Sequence, residues 1–304
     1  MWSVYLPRLW LSNKQDCLIG GPEYQYLLLM DINSTTTLNN GTQMPWLGFG
    51  VFQTEPGKEV ENAVTWALEA GYRHIDTAAF YRNERGVGNA VASAGIPREE
   101  LWITTKLWND DQGYDSTLRA FDKSLRELGT DYVDLYLVHW PIKGKVKETW
   151  QAFEKIYEDG KARAIGVSNF LVNHLDELLK HAKVTPMVDQ VEWHPFVLQK
   201  PLLDYCKKQD IQFEAWSPLT RARFFDNPVL TEIAQAHGRS PAQVLIRWDL
   251  QHGVVSIPKS VHQKRIEENS KVFDFELSSE EMQKLDSLDS NTRIGPHPDQ
   301  LGGW

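Results

Sequence analysis

The sequence is poor in cysteine and has no long apolar run. It holds two cysteines, Cys17 and Cys206, among 304 residues. So few thiols exclude a disulfide framework and are typical of a protein of a reducing compartment, so we predict the cytoplasm. No stretch approaches the ~18 consecutive apolar residues that a membrane-spanning helix needs, and we therefore expect no membrane segment.

An excess of positive charge is also lacking. The 32 Lys and Arg residues are outnumbered by 41 Asp and Glu residues, so the formal net charge is −9. This balance argues against binding to nucleic acid or to an anionic membrane through overall charge. His139 and His194 are isolated from other candidate ligands, so the sequence predicts no metal site.

Residues 1–30 lack the periodicity of the rest of the chain. They contain a few apolar residues near Arg8, but no continuous apolar stretch and no small-residue cleavage pattern, so they do not read as a signal peptide. Met30 is followed by DINSTTTLNNGTQMP, which looks like a natural start. We predict that residues 1–30 are an extension, disordered or due to a mis-called start, and that residues 31–304 form one domain.

From residue 31 onward, short apolar runs alternate with segments of helical spacing. Asn40-Gly41 is a hairpin turn signal between β-formers. Eight strand-like runs with helical segments or loops between them predict an α/β fold, a single-domain (β/α)8 TIM barrel of the usual size of roughly 250 residues. We expect the N-terminal hairpin to close the barrel bottom. The runs span residues 45–51, 72–76, 101–107, 132–140, 163–168, 187–193, 211–217 and 254–258.

A doubly wound open sheet is the competing fold. It normally shows a glycine-rich phosphate turn with three glycines after its first strand. Gly48-Phe-Gly50 lacks the third glycine, and Gly86-Val-Gly88 lacks it too and lies in a helical segment. These glycines are interpreted as packing or turn residues, and the barrel is favoured.

Four polar side chains lie at or just beyond the ends of neighbouring predicted strands. Asp76 ends the second strand, Lys106 the third and His139 the fourth, while Tyr81 lies on the loop after Asp76. Chemistry in this fold occurs where strands end, and adjacent strands lie about 5 Å apart. Each residue alone has an ordinary explanation as a cap, a packed ring or a solvated charge. Together on one rim they predict a catalytic site.

The four residues form a coherent proton donor. Tyrosine titrates near 10, and a nearby Lys106 ammonium favours the phenolate and lowers the pKa of Tyr81. Asp76 would keep Lys106 charged and oriented, while His139 would form a hydrogen bond at the same oxygen and orient a carbonyl. The set suits protonation of the oxyanion that forms when hydride reaches a carbonyl carbon.

Over residues 35–295 the chain resembles the aldo-keto reductases. The matching motifs, in order, include GYRHIDTAAFYRNE (71–84), DYVDLYLVHWP (131–141), RAIGVSNF (163–170) and IPKSVHQKRIEEN (257–269). LWNDDQGYDSTL (107–118) resembles the branch with 2,5-diketogluconate reductases, glyoxal reductases and prostaglandin F synthase. The resemblance implies NADPH-dependent reduction of small aldehydes or ketones to alcohols, with Tyr81 as proton donor. We expect a monomer.

The resemblance also implies positions for the cofactor. Ser168, Asn169 and Gln190 match residues that hold the nicotinamide carboxamide, and Trp216 matches the ring that stacks on the nicotinamide. The other matched positions are Ser217 and Leu219 for the pyrophosphate, Lys259, Ser260, Val261 and Arg265 for the 2′-phosphate, and Glu268 and Asn269 near the adenine.

The basic segment PKSVHQKR supports a phosphate site by its chemistry. It brings Lys259, Lys264 and Arg265 to the loop after the eighth strand, where this fold usually binds phosphate. A helix start with a guanidinium group suits a phosphomonoester. A solvated basic helix face is the alternative. Thr220 departs from the family, which commonly has glycine after AWSPL.

Large aromatic residues near the predicted rim indicate a partly apolar substrate pocket. Phe52, Trp108, Trp140 and Trp193, together with His139, are its candidate residues. Two other functions stay open: an endoperoxide reductase or isomerase of the prostaglandin type, and a cofactor-binding structural or regulatory protein without catalysis.

Overall fold

The computed structural model describes residues 30–304. The predicted extension, residues 1–30, lies outside the described residues apart from Met30. A short antiparallel hairpin, β1 (Thr35–Thr37) and β2 (Gln43–Pro45), comes first. At its turn, the Asn39 side chain donates hydrogen bonds to the carbonyl oxygens of Pro186 and Asp210, both at 3.1 Å. Because these residues precede later strands, the hairpin covers the amino end of the sheet, as predicted.

Eight parallel strands then form one closed sheet, with neighbours in space in chain order. Leu47 and Ser256 form the parallel bridge that joins the first strand region to the last, and Gly50 N donates to Pro258 O at 3.1 Å. The predicted (β/α)8 barrel is therefore confirmed. The strands are β3 (Gly48–Gly50), β4 (His74–Asp76), β5 (Trp102–Leu107), β6 (Val133–Val138), β7 (Ala162–Ser168), β8 (Val188–Glu192), β9 (Gln212–Trp216) and β10 (Val255–Ser256).

The helices cover the outside of the sheet. Some of them begin or end at capping residues that can be recognised in the sequence. Ser240 caps one helix start, ahead of Pro241, through a reciprocal pair of hydrogen bonds with Gln243. Gly129 ends another helix with φ 65°. The helices are α1 (Lys58–Glu69), α2 (Glu84–Ser93), α3 (Tyr114–Leu128), α4 (Val146–Glu158), α5 (Val172–Leu179), α6 (Lys200–Lys208), α7 (Pro228–Ala236), α8 (Pro241–Gln251), α9 (Gln263–Asn269), α10 (Ser279–Asp286) and α11 (Pro298–Gly302).

Burial of both sheet faces explains the apolar runs. Every residue of β5 and of β6 is buried, because the helices cover one face and the barrel interior encloses the other. Gly88 is a packing residue: a Cβ there would lie 2.2 Å from the carbonyl oxygen of Leu128, which only glycine avoids. Within residues 30–304, no helix is long and apolar enough to cross a membrane.

Candidate active site

The polar strand ends meet around one cavity at the carboxyl end of the barrel. Asp76, Ser168 and Trp216 are the last residues of β4, β7 and β9, and His139 directly follows β6. All four line a cavity of about 500 Å³, and Tyr81 lines it from a single 3₁₀ turn after β4. The predicted rim is therefore where the structure brings these side chains together.

Lys106 joins Asp76 to Tyr81. Its ammonium donates to Asp76 Oδ1 at 2.6 Å, to Asp76 Oδ2 at 2.8 Å and to the carbonyl oxygen of Thr77 at 3.0 Å. The Tyr81 hydroxyl lies 3.5 Å from the same nitrogen. Lys106 and Asp76 are buried, so their charges face each other in a medium that screens them weakly.

The electrostatics of the group differ in one respect from the sequence-based prediction. Burial lowers the pKa of Lys106, but the Asp76 carboxylate and Tyr81 raise it by more, so the amine stays an ammonium. Burial raises the pKa of Tyr81, and the Lys106 charge offsets only part of this rise. The predicted net lowering of the Tyr81 pKa is not found, because the loss of water around the phenol outweighs the nearby cation.

His139 is a neutral imidazole beside the phenol. Its ring lies 5.7 Å from the Tyr81 ring and 5.2 Å from the Trp108 ring, between centroids and nearly edge-on to both. Burial, and then the Lys106 charge, hold the pKa of His139 well below its ordinary value. Its Nδ1 atom is buried without a hydrogen-bond partner among the described residues, so Nε2 is the ring atom available to a ligand.

The Asn169 side chain forms hydrogen bonds with three other residues of the cavity wall. Its φ of 64° turns the chain sharply after β7. The Asn169 amide donates to the carbonyl oxygen of His139 at 2.9 Å and to Ser168 Oγ at 3.0 Å. Its Oδ1 atom accepts a hydrogen bond from Trp216 Nε1 at 2.8 Å. The positions matched to the nicotinamide carboxamide thus lie beside the His139 strand end.

Gln190 lies between two buried carboxyl groups. Its Nε2 atom donates to Asp76 Oδ2 at 2.8 Å and to Glu214 Oε2 at 3.0 Å. Both amide protons are therefore used, and Oε1 is left for a ligand in the cavity that Gln190 lines. Sequence reasoning missed Glu214, whose only signal was a charged residue within a buried strand.

Trp216 is backed by the C-terminal part of the chain. A Cβ at Gly295 would lie 2.5 Å from the Trp216 ring, so the absence of a side chain lets this loop pack on the indole. The buried Glu192 carboxylate accepts hydrogen bonds from the backbone of Ile294 and Gly295 and holds the loop. An indole fixed in this way offers a flat face to a ring in the cavity.

The predicted phosphate residues divide into two groups. Ser217, Leu219 and Lys259 line the cavity, and Lys259 Nζ donates to the carbonyl oxygen of Gln53 across it at 3.2 Å. The others lead away from the cavity into α9, and none lines it. There Ser260 is buried, Val261 and Glu268 are half-buried, Arg265 is exposed and Asn269 is buried.

Aromatic rings form the outer wall. Phe52 is tilted over Tyr81 with ring centroids 4.9 Å apart, and Trp140 also lines the cavity. Phe80, which sequence reasoning missed, stacks on Trp108 at 3.8 Å. Its position directly before Tyr81 was the available signal. Leu301 of α11 also lines the cavity, and nothing local in the sequence links this segment to the site.

The predicted position of Trp193 is wrong. The prediction placed it in the substrate wall, but it is 1% exposed and does not line the cavity. Its ring stacks on Trp248 of α8 at 5.2 Å and contacts Phe213 edge-on at 5.3 Å. The residue lies just past the end of β8 and turns outward, so it packs between the sheet and a helix.

Comparisons with known proteins identify the family of the chain. The family model described as the Aldo/keto reductase family matches residues 46–290. A glyoxal reductase of Bacillus subtilis is 59% identical over 270 residues, 89% of this chain and 98% of that protein. A 9,11-endoperoxide prostaglandin H2 reductase of Trypanosoma cruzi is 56% identical over 268 residues, 87% of this chain and 95% of that protein.

A solved structure shows the same fold. The aldo-keto reductase of Bombyx mori, in complex with NADP, superposes with a TM-score of 0.82 at 37% identity, over 88% of this chain and 96% of that one. The chain belongs to the aldo/keto reductase family. This confirms the predicted resemblance and, with it, the predicted class of enzyme, an NADP-dependent oxidoreductase.

Proposed function

We propose that the protein reduces aldehyde and ketone carbonyls to alcohols with NADPH, and that Tyr81 supplies the proton. The observation that carries this proposal is the contact series from Asp76 through the Lys106 ammonium to the Tyr81 hydroxyl, at the floor of an aromatic cavity. NADPH, when bound, supplies the hydride that reaches the carbonyl carbon.

Each member of the group has a distinct task. The raised pKa of Tyr81 keeps the phenol protonated at neutral pH, so a proton is available. The Lys106 ammonium stabilises the phenolate that remains after transfer, and Asp76 fixes that ammonium in place. A neutral His139 can donate to the carbonyl oxygen and hold it near the Tyr81 hydroxyl.

The residues present fit the cofactor. Oε1 of Gln190 is an acceptor for the amide protons of a carboxamide, and Trp216 offers a ring face beside it. Lys259 carries positive charge on the cavity wall, and Arg265 is an exposed guanidinium group on α9, which follows Lys259 in the chain; both groups suit a phosphate ester. These residues would hold NADPH.

The enclosing rings favour small carbonyl compounds with an apolar part. Phe52, Phe80 and Trp108 line the same cavity as Tyr81 and make its wall partly apolar. The similarity to a glyoxal reductase points to dicarbonyls such as methylglyoxal. The similarity to an endoperoxide reductase favours, as a second candidate, reduction of a prostaglandin endoperoxide.

The test is a substrate panel with NADPH: methylglyoxal, 2,5-diketogluconate, aromatic aldehydes, simple ketones and prostaglandin H2. We expect loss of NADPH absorbance with one alcohol formed per NADPH oxidised. Turnover of prostaglandin H2 with equal NADPH consumption supports the second candidate, whereas its rearrangement without NADPH consumption indicates an isomerase. Tight NADPH binding without turnover of any compound would contradict both proposals and favour a structural or regulatory role.

The choice between NADPH and NADH is predicted to depend on Arg265. A charge-assisted hydrogen bond contributes roughly 1.5–3 kcal/mol, so Arg265→Ala is expected to raise KM for NADPH by about ten- to a hundredfold. KM for NADH, which lacks the 2′-phosphate, should change little. Initial rates with each cofactor measure both values.

Lys264→Ala is the matched control for this prediction, because Lys264 is an exposed cation next to Arg265 on α9. The control should leave the preference for NADPH nearly unchanged. Equal small effects of the two substitutions would mean that the segment is a solvated basic face.

A further inference from the structure

A second carboxyl group lies beneath the catalytic ion pair. Glu214 is on β9, and its side chain is fully buried. The Gln190 amide stands between Glu214 and Asp76 and donates one proton to each, at 3.0 Å and 2.8 Å. The mechanism above gives Glu214 no task, although it lies one side chain away from the Lys106–Asp76 pair.

Among residues 30–304, no cation is left to pair with Glu214. The Lys106 ammonium has three protons, and Asp76 and the Thr77 carbonyl occupy them, with Tyr81 at the edge of reach. The second oxygen of Glu214, Oε1, has no hydrogen-bond partner among the described residues. An ionised Glu214 would therefore be an unpaired buried charge beside another carboxylate, which is strongly unfavourable.

His74 also faces Glu214, and it does not supply a charge. Its Nε2 atom lies 3.7 Å from Glu214 Oε1 and is hydrogen-bonded to Thr104 Oγ1 at 3.1 Å. Burial, with the Lys106 charge added, lowers the pKa of His74 to about 3. The ring is therefore neutral and cannot form an ion pair.

Burial and the Asp76 charge favour the protonated form of Glu214, and the Lys106 charge opposes it only in part. Asp76 and His74 face it from β4, Lys106 from β5 and Tyr81 from the loop after β4, while β8 offers the uncharged Gln190. Burial, followed by the charge of Asp76, raises the pKa of Glu214 to about 8. At neutral pH, Glu214 is thus mostly a protonated, uncharged carboxylic acid.

We propose that Glu214 is a positioning residue of the active site: it fixes the orientation of the Gln190 amide and, as a neutral acid, leaves the Lys106 charge to Asp76 and Tyr81. This inference rests on the proposed carbonyl reduction for its catalytic consequence. With both amide protons held by carboxyl groups, Gln190 presents Oε1 to the cavity, which is the atom that a carboxamide needs.

Ionisation of Glu214 is expected to slow catalysis. The added negative charge raises the proton affinity of Tyr81 further and makes the phenol a weaker acid. The kcat/KM for the carbonyl at saturating NADPH is therefore expected to fall as pH rises through about 8.

In the variant Glu214→Gln this negative charge cannot form, while the side-chain oxygen still accepts a hydrogen bond from the Gln190 amide. This variant should retain its rate into higher pH, with the alkaline midpoint moved up by roughly one unit or more.

Stability of the protein without cofactor gives a readout independent of activity. The pKa of Glu214 is about 8 in the folded protein and 4.5 when solvated, so the native state binds the proton more tightly. Stability must then fall as pH rises between these values. Glu214→Gln should lack this fall, so its thermal midpoint should exceed that of the unaltered protein by an amount that grows from pH 5 to pH 8. A Gln variant that is less stable by the same amount at every pH would overturn the proposal, because Glu214 would then be ionised and paired.

Glu214→Leu tests the positioning role separately. It removes the acceptor and frees one amide proton of Gln190, so the dissociation constant for NADPH is expected to rise by about tenfold, measured by fluorescence titration. Glu214→Gln should change it much less. Equal NADPH affinity in the two variants would refute positioning through Gln190.

Asp249→Asn is the matched control. Asp249 is also buried, on α8, with its pKa raised well above the ordinary value by burial. Its replacement should alter the pH dependence of stability but neither the pH profile of kcat/KM nor NADPH affinity. If no carbonyl compound is turned over, the proposed function fails, while the stability and binding measurements still decide the role of Glu214.

Discussion

Tyr81→Phe is expected to lower kcat/KM for every reduced carbonyl compound by roughly 10²–10⁴-fold, the usual contribution of a positioned general acid. The substitution removes one oxygen and leaves the ring, which contacts Phe52 with centroids 4.9 Å apart, so the shape of the cavity is retained. NADPH binding should be intact. Steady-state kinetics and fluorescence titration of NADPH measure the two quantities on the same preparation.

Tyr157→Phe is the control for loss of a tyrosine hydroxyl. Tyr157 lies on α4 and accepts a hydrogen bond from Asn40 of the hairpin, at the opposite end of the barrel. It should keep the activity of the unaltered protein. Full activity of Tyr81→Phe would refute the assignment of the proton donor, since within residues 30–304 no other hydroxyl lies within hydrogen-bond distance of the Lys106 ammonium.

Lys106→Met is expected to reduce both catalysis and stability. Without the ammonium nothing stabilises the phenolate, so kcat should fall by about 10²–10³-fold, the loss seen when a fixed electrostatic group is removed. Asp76 would be left as a buried carboxyl without its cation, and breaking a buried pair costs about 3–5 kcal/mol. This loss should grow as pH rises above the ordinary pKa of an aspartate, because the buried acid then resists ionisation.

The double variant Lys106→Met with Asp76→Asn separates the two effects. It also removes the Asp76 carboxylate, which would otherwise be buried without its cation. Much of the lost free energy of unfolding should therefore return, and urea unfolding at neutral pH measures it. Catalysis should stay low, because the field at the phenol is still missing. Recovery of activity in the double variant would show that Lys106 serves only to neutralise Asp76.

Much of the fold and the centre of the site could be predicted from the sequence. The alternation of apolar runs and helical segments is local, and the chirality of parallel strand connections leaves few ways to assemble eight of them. Because the carboxyl ends of parallel strands share one rim, Asp76, Lys106 and His139 were expected to be neighbours. The structure places them so, with Tyr81 beside Lys106.

The remaining features depend on contacts between distant parts of the chain. Trp193 lies just past a strand end, where the two-residue alternation no longer decides which way a side chain points. Phe80 and Leu301 reach the cavity from a turn and from the C-terminal helix. The sequence has no periodic signal for such placements.

The sequence by itself determined the barrel, the family and the residues to which we assign the proposed chemistry, because local periodicity and motif order are properties of neighbouring residues. Only the tertiary structure decided the electrostatic state of those residues. The pKa of Tyr81 and the pKa of Glu214 both rise, because folding removes water around them. Desolvation depends on every element packed around a group, and no short segment of sequence contains that information.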